Sequence, residues 1–378
     1  SGARLRVEDA SWFWRITGIW PLTVEPQWLT MRALGVGLAP PGPGTPENAA
    51  LLPRFWLAAW WPLVARMSAA SEQLRIDDSD GERLLDALGV LARRGDVEGW
   101  LIGSGFEGQT ELLAEASALL PLFGTAASGV KRVRDPQTLF AAFDRHGIAY
   151  PAVQRSALAD ASGWLVKDAG GCGGWQVRAA SAGKDLPPGH YFQREARGTP
   201  MSATFVANGH DAIVLGINQQ LVQRIGARPF VFCGVVGPVP IEAALTQRVE
   251  QAVRALAIEF ELRGLGSLDF MQDGDAFTVL EVNPRSPASV ALYRDQRPIE
   301  AHLRACREGE LPERTPRTLT HGTEIVFAQR ALRLSGAAAR ELAAQPQCHD
   351  LPRAGSVFAA GDPLCSVSAQ GSSAPDVV

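Results

Sequence analysis

The chain has 378 residues, of which 46% are hydrophobic and 20% charged, with a formal net charge of −4 and a pI near 5.9. That length accommodates two or three domains of ordinary globular composition, and the lack of a basic excess excludes an electrostatic footprint for nucleic acid. Five dispersed cysteines without a Cys-x-x-Cys pair argue against a zinc site or a disulfide framework and for reduced thiols in the cytoplasm.

No window approaches the roughly 20 apolar residues that span a bilayer. The longest candidate, Phe55 to Ala65, contains Pro62 and is bracketed by Arg54 and Arg66. No secretory leader pattern is visible, so neither membrane nor nucleic acid is an expected partner.

Residues 1 to about 70 hold seven of the ten tryptophans, Trp12, Trp14, Trp20, Trp28, Trp56, Trp60 and Trp61. Around the Pro-Gly loop at residues 40–44 they show no legible periodicity. Beyond them the pattern clears. Leu84, Leu85, Leu88, Val90 and Leu91 recur at helical spacing. Gly99 to Ile102 reads as a strand entering the glycine turn Gly103-Ser104-Gly105-Phe106-Glu107, and Leu112 to Leu119 as a second helix. Strand, glycine turn and helix in succession predict an α/β half-domain with ligands at the strand ends, and mark Glu107 as a candidate substrate contact. A basic turn, Lys131 to Pro136, then precedes a helix from Leu139 to His146 that stops at Gly147.

Residues 164–222 read as β segments with polar turns. Trp164 to Lys167 form a strand that delivers a lysine to Gly170-Gly171-Cys172-Gly173-Gly174, and Trp175 to Arg178 read as the return strand. Four glycines in five residues let backbone N–H groups approach a polyphosphate while Lys167 supplies a point charge. The same stretch also reads as a plain flexible hairpin. Cys172 is expected to be an inert small residue, because no histidine stands near it in sequence to activate the thiol.

Ile241 to Leu262 predicts an amphipathic helix whose stripe is Leu245, Val249, Ala252, Val253, Leu256 and Phe260. It leads into a hairpin, Gly264 to Arg285, turning at Asp273-Gly274-Asp275. A three-residue loop, Gly274 to Ala276, would set Asp269 opposite Glu281, with Asn283 on the same face. A two-residue loop would turn Glu281 to the other face. In the first register three hard oxygen ligands converge in the manner of an Mg2+ site shared with substrate phosphates. A hairpin with a solvated polar face is the plainer alternative.

The tail Glu281-Val282-Asn283-Pro284-Arg285 resembles the Glu-x-Asn-Pro-Arg strand of the ATP-grasp superfamily. Lys167 with its glycine hairpin resembles that family's lid, and Tyr191 to Ser202 its hinge. The resemblance covers roughly residues 95–310. It implies an ATP-grasp fold of α/β (α+β) class, with an N-terminal Rossmann-like half-domain, a β-rich lid and a core built on an antiparallel sheet. The implied domains are 1–125, of which the first 70 residues are unassigned, 126–215 for linker helix and lid, 216–310 for the core, and 311–378 for a β appendage and a frayed tail.

By the same resemblance Asp269, Glu281 and Asn283 hold Mg2+, with Mn2+ as the alternative. Lys167, Gly170, Gly171, Cys172, Gly173 and Gly174 cover the phosphates of ATP, and Gln193, Arg194, Glu195 and Ala196 meet the adenine edge. Arg285 stabilises transferring charge or holds a substrate carboxylate. The family's usual Asp-Lys is missing near Pro136, where Arg134 is the first substitute and Lys131 the second. The ribose carboxylate expected after Gly198 is replaced by Thr199-Pro200. The implied activity is an ATP-dependent amide-forming ligase acting on a small carboxylate and an amine. The Gly-Ser-Gly-Phe-Glu turn adds a looser resemblance to tyramine–glutamate ligases of methanofuran-type cofactor synthesis. A carboxylase and a catalytically silent nucleotide-binding regulator are the alternatives, and a homo-oligomer is compatible with each.

Overall fold

The computed structural model describes residues 27–34, 54–59, 72–76, 81–95, 97–315 and 319–377. The role of the Trp-rich stretch lies largely outside the described residues. Strands β1 (Gln27–Leu34), β2 (Arg54–Ala59), β3 (Glu72–Ile76) and β4 (Gly99–Ile102) form one sheet in the order β3-β1-β2-β4. β2 and β4 run parallel, whereas β1 is antiparallel to both β2 and β3, so the expected Rossmann-like half-domain has a mixed sheet. Its strand, glycine turn and helix unit is present as predicted. Helices α1 (Gly81–Arg94) and α2 (Thr110–Leu119) bury Leu84, Leu88, Leu91, Leu113 and Ala116 against Trp100 and Ile102 of β4.

The basic stretch expected as a turn is instead the last turn of a helix, α3 (Ala127–Arg134). Cations suit that end of a helix, where carbonyl groups point outward. Asp135 then caps α4 (Pro136–Arg145), accepting the Thr138 N–H at 2.8 Å, with Pro136 at the first helical position where its missing N–H costs nothing.

The lid sheet consists of β5 (Val153–Gln154), β6 (Trp164–Asp168), β7 (Arg178–Ala179) and β8 (His190–Arg194), in the order β5-β8-β6-β7. The return strand is shorter than predicted, because Trp175 to Val177 stay in the turn. The Phe232 N–H donates to the Gly173 carbonyl at 3.0 Å, and a Cβ on Gly174 would overlap the Phe230 carbonyl oxygen, so this turn leans on the core rather than pairing within the lid.

The main sheet contains β9 (Thr199–Asn208), β10 (Ala212–Ile225), β11 (Arg228–Gly237), β12 (Arg263–Asp273), β13 (Ala276–Asn283), β14 (Thr320–Phe327), then β16 (Cys348–His349) and β18 (Pro363–Gly371), ordered β13-β12-β9-β10-β11-β14-β18-β16. Every pair in it is antiparallel. Alternation gives the sheet two characters. Ala203, Phe205, Leu268 and Phe270 face one side and pack on α4 and on α5 (Ala243–Glu259), whose stripe of Leu245, Val249, Ala252, Val253 and Leu256 is buried as predicted. Ser202, Thr204, Ser267 and Asp269 face the other. The far end of that second face is closed by the 3-10 segment Ala288–Gln296 and by α6 (Pro298–Arg307), through Val206, Leu265, Val290, Ala301 and Ala305.

Two expectations are corrected in the hairpin and the tail. The turn joining β12 to β13 has two residues, Gly274 and Asp275, because Asp273 pairs with Ala276. Asp269 still lies opposite Glu281, since the register shifts between Asp269 and Phe270 and leaves Leu280 as an extra, bulged residue. The predicted face is reached by a bulge rather than by a three-residue loop. In the tail, β14, β18 and β16 continue the main sheet outward from β11, while β15 (Leu332–Arg333) pairs with β17 (Val357–Phe358) beside it and α7 (Gly336–Ala344) packs underneath. β10 runs through residue 215, and the sheet does not divide there or at 310. The end is not frayed: Asp376 accepts the Ser372 and Ser373 hydroxyls at 2.6 and 2.8 Å, and a Cβ on Gly322 would run into the side chain of Val377.

Candidate active site

A cleft of about 800 Å3 lies between the lid sheet and the polar face of the main sheet. Its floor is set by register. Asp269 faces Glu281 and Ser202, and Ser267 faces Asn283 and Thr204, so residues from three strands share one surface. Asn283 organises the acidic end. Its amide nitrogen donates to Asp269 Oδ2 at 3.2 Å, Ser267 Oγ at 3.3 Å and Glu281 Oε1 at 3.5 Å, and its carbonyl oxygen accepts from Arg134 and Arg285 at 3.4 Å each.

Burial and the Glu281 charge push the Asp269 carboxyl up to about 6, and its Oδ1 is buried without a hydrogen-bond partner. Two facing carboxylates with an orphaned oxygen fit a divalent cation, which would cancel the repulsion and complete the missing contact. Asp269 and Glu281 are therefore the residues placed to hold one. Asn283 presents nitrogen, not oxygen, to that position and acts here as the spacer between the acids and the guanidinium groups.

Lys167 reaches the cleft from β6, on the face it shares with Leu165, Tyr191 and Gln193. Burial lowers its pKa, against the opposing pull of Glu281, and its ammonium makes no hydrogen bond or ion pair with the described residues. The glycine loop roofs the site. Arg134 fastens it there, donating through Nε to the Ala169 carbonyl at 2.7 Å and through Nη2 to the Gly171 carbonyl at 2.8 Å, with Nη1 3.6 Å from Glu281. Of the two predicted basic residues only Arg134 reaches the site, buried behind the glycine loop that it holds. Lys131, three residues earlier on α3, faces solvent and pairs with Glu111 at 3.0 Å. Cys172 lines the cleft, but burial pushes its thiol up to about 12, which agrees with an inert role.

Gln193, Arg194, Glu195 and Ala196 all line the cleft wall. The N–H groups of Arg194 and Glu195 are taken by the Ala152 and Gly163 carbonyls, and the Arg194 guanidinium turns outward to the Ser162 carbonyl at 2.5 Å. The Gln193 amide is buried with Nε2 unpaired, leaving a donor for a bound group.

Sequence reasoning missed what Glu107 does. It is not a substrate contact but the internal partner of Arg285, at 2.8 Å, and its second oxygen accepts the Gly105 N–H at 2.7 Å. Burial opposes its ionisation, yet the Arg285 and Arg134 guanidinium groups hold it below the usual carboxylate range. Arg285 also donates to Ser286 O and Asn283 Oδ1, which uses three of the five N–H groups a guanidinium carries. At least two remain for a ligand. Behind the floor, Tyr293 Oη donates to Asn218 at 2.5 Å, and Asn218 donates to Thr204, which bonds Ser289. Ser267 was reachable by counting alternate residues from Asp269, whereas Ser202 is placed by the pairing of β9 with β12. Asn218 and Tyr293 carried no local signal.

Residues 133–289 match the ATP-grasp domain family. This segment is an ATP-grasp domain. Of the predicted site residues all but Lys131 and Glu107 fall inside it. The ATP-grasp fold extends well beyond the matched segment. The L-amino acid ligase of Bacillus licheniformis superposes with a TM-score of 0.59 at 16% identity, covering 79% of this chain and 81% of that one. The biotin carboxylase domain of a single-chain bacterial carboxylase gives 0.59 at 17%, covering 91% and 84%. N5-carboxyaminoimidazole synthase of Aspergillus clavatus gives 0.57 at 15%, covering 77% and 81%. In sequence, the carbamoyl phosphate synthase large chain of Halomonas eurihalina is 26% identical over 214 residues, which is 49% of this chain and 19% of that protein. The chain thus spans about a fifth of the length of that curated relative.

Proposed function

We propose that this ATP-grasp protein is an ATP-dependent ligase that joins a carboxylate to an amine through an acyl phosphate. The observation that carries the reading is the Asp269–Glu281 pair with its unpartnered oxygen, set on a floor that shares one cleft with the unpaired Lys167 and a glycine roof. Mg2+ held by the two acids would draw charge from the phosphates of ATP. Lys167 adds a fixed positive charge where the γ-phosphoryl group transfers. In the first step a carboxylate oxygen forms a bond to the γ-phosphorus and the bond to the ADP oxygen breaks. In the second, the amine nitrogen attacks the acyl carbon, phosphate leaves, and the nitrogen gives up a proton. The roof fastened by Arg134 excludes water, which would otherwise hydrolyse the mixed anhydride.

One observation favours the silent regulator as second reading: the donors of Arg134, the substitute for the family's lysine, are largely spent on lid carbonyls. ADP release measured with Mg2+ and ATP across a panel of acids and amines separates the two. A ligase releases ADP only when acid and amine are both present, and Lys167→Ala and Glu281→Ala each cut that rate by about a hundred-fold or more. ATP binding without release for every pair would establish the regulator.

A further inference from the structure

The cleft has a second, apolar region on strands other than those that carry the two acids. Across the floor, from the acids on β12 and β13 through β9 and β10, polar residues give way at β11 to Phe230, Phe232 and Val235, with Val222 of β10 beside them. Their common orientation is built in. Val222 pairs with Phe232 and Gln220 with Val235, so Cys233 is an extra residue whose bulge keeps Phe232 and Val235 on the cleft face. Trp175 of the lid turn completes the wall, braced by the Arg228 guanidinium 4.6 Å from its ring centre. These five side chains are uncharged, and the three aromatic ones are half-buried, not sealed in the core.

The wall lies within reach of the anion-binding end. Arg285, Cys172 and Trp175 line the same cleft, and Cys172 and Trp175 are three residues apart, at most about 11 Å of chain. Phe232 is bonded to the intervening Gly173. A molecule whose carboxylate meets the unused N–H groups of Arg285 would lay the rest of its length along Phe232 and Trp175.

We infer that the carboxylate substrate carries an apolar, aromatic-sized side chain, seated against Trp175, Phe230 and Phe232 with its carboxylate at Arg285. This rests on the ligase reading for the fate of the carboxylate, but not for its binding. An apolar ring would cover the wall, and a short side chain would leave it uncovered.

Calorimetric titration of the full chain, saturated with Mg2+ and a non-hydrolysable ATP analogue, with 3-phenylpropionate and with propionate tests it. Phenylpropionate should bind about ten-fold or more tightly, and Phe232→Ala should remove about five-fold of that affinity while moving that of propionate less than about two-fold. Equal affinities, tighter propionate, or no binding of either would overturn the assignment, and the unsubstituted protein alone decides it if Phe232→Ala fails to fold. Tight phenylpropionate binding with no ADP release for any amine would retire the ligase reading and leave the wall standing. ADP release with propionate in preference to phenylpropionate would do the reverse.

Discussion

Glu107 and Arg285 meet with side chains 1% and 9% exposed, one from the glycine turn of the N-terminal unit and one from the end of the hairpin strand. A buried pair of this kind is costly to break from one side, because the remaining charge has neither water nor partner. Glu107→Ala should lower the urea unfolding free energy by about 3 to 5 kcal/mol. Glu107→Gln, which retains the acceptor for Arg285, should cost less than half as much. Equal losses would show that packing rather than charge holds the turn. At this scale the sequence was informative about which residue types gather and poor on what each one touches. Arg134 was ranked ahead of Lys131 as the basic substitute, but only the helical turn of α3 shows one buried behind the glycine loop and the other turned to solvent. Glu107 was visible as a polar residue in a glycine turn, but its partner lies 178 residues away. No local pattern encodes that distance.

The hairpin β12–β13 shows how an element can reach a predicted face by an unpredicted route. Turn length was misjudged, since Asp-Gly-Asp admits either loop, and the bulge at Leu280 supplies the compensating residue. Because Leu280 is the surplus residue, deleting it should leave Glu281 opposite Asp269. Inserting an alanine after it should turn Glu281 away. Calorimetry with Mg-ATP should then find the insertion weakened roughly ten-fold or more, as Glu281→Ala is, and the deletion less affected than either. A deletion that matches Glu281→Ala would mean that the bulge itself shapes the site. Helices α1, α2 and α5 were legible because their stripes recur at short range. The two-residue strands β5, β15, β16 and β17 were not, because their residues are fixed by partners remote in sequence.

Across the whole molecule, His302 ties the N-terminal unit to the core. Its Nδ1 accepts the Leu265 N–H of β12 at 2.8 Å, and its Nε2 donates to the Phe123 carbonyl at 2.8 Å, which fixes the neutral ring. Burial pushes its pKa down from 6.5 to about 4. The unfolded chain therefore takes up this proton first, so the contribution is complete above pH 6.5 and is lost as pH falls towards 4. The whole interval corresponds to about 3 kcal/mol. Urea titrations between pH 7 and 4.5 should show that slope, and a folded His302→Gln variant should lack it relative to the unsubstituted chain. Nothing in the sequence around His302 announced this role. The order of the main sheet was equally illegible, since β14 and β18 join a core that the implied β appendage would merely follow.

That order has a consequence for how copies of the protein can meet. One border of the sheet is β13, whose outward Val279 N–H is already taken by the Ala149 carbonyl at 2.8 Å, and the other is β16, only two residues long. A strand of a neighbouring molecule adding to this sheet would meet a border interrupted at Val279 on one side and a two-residue strand on the other.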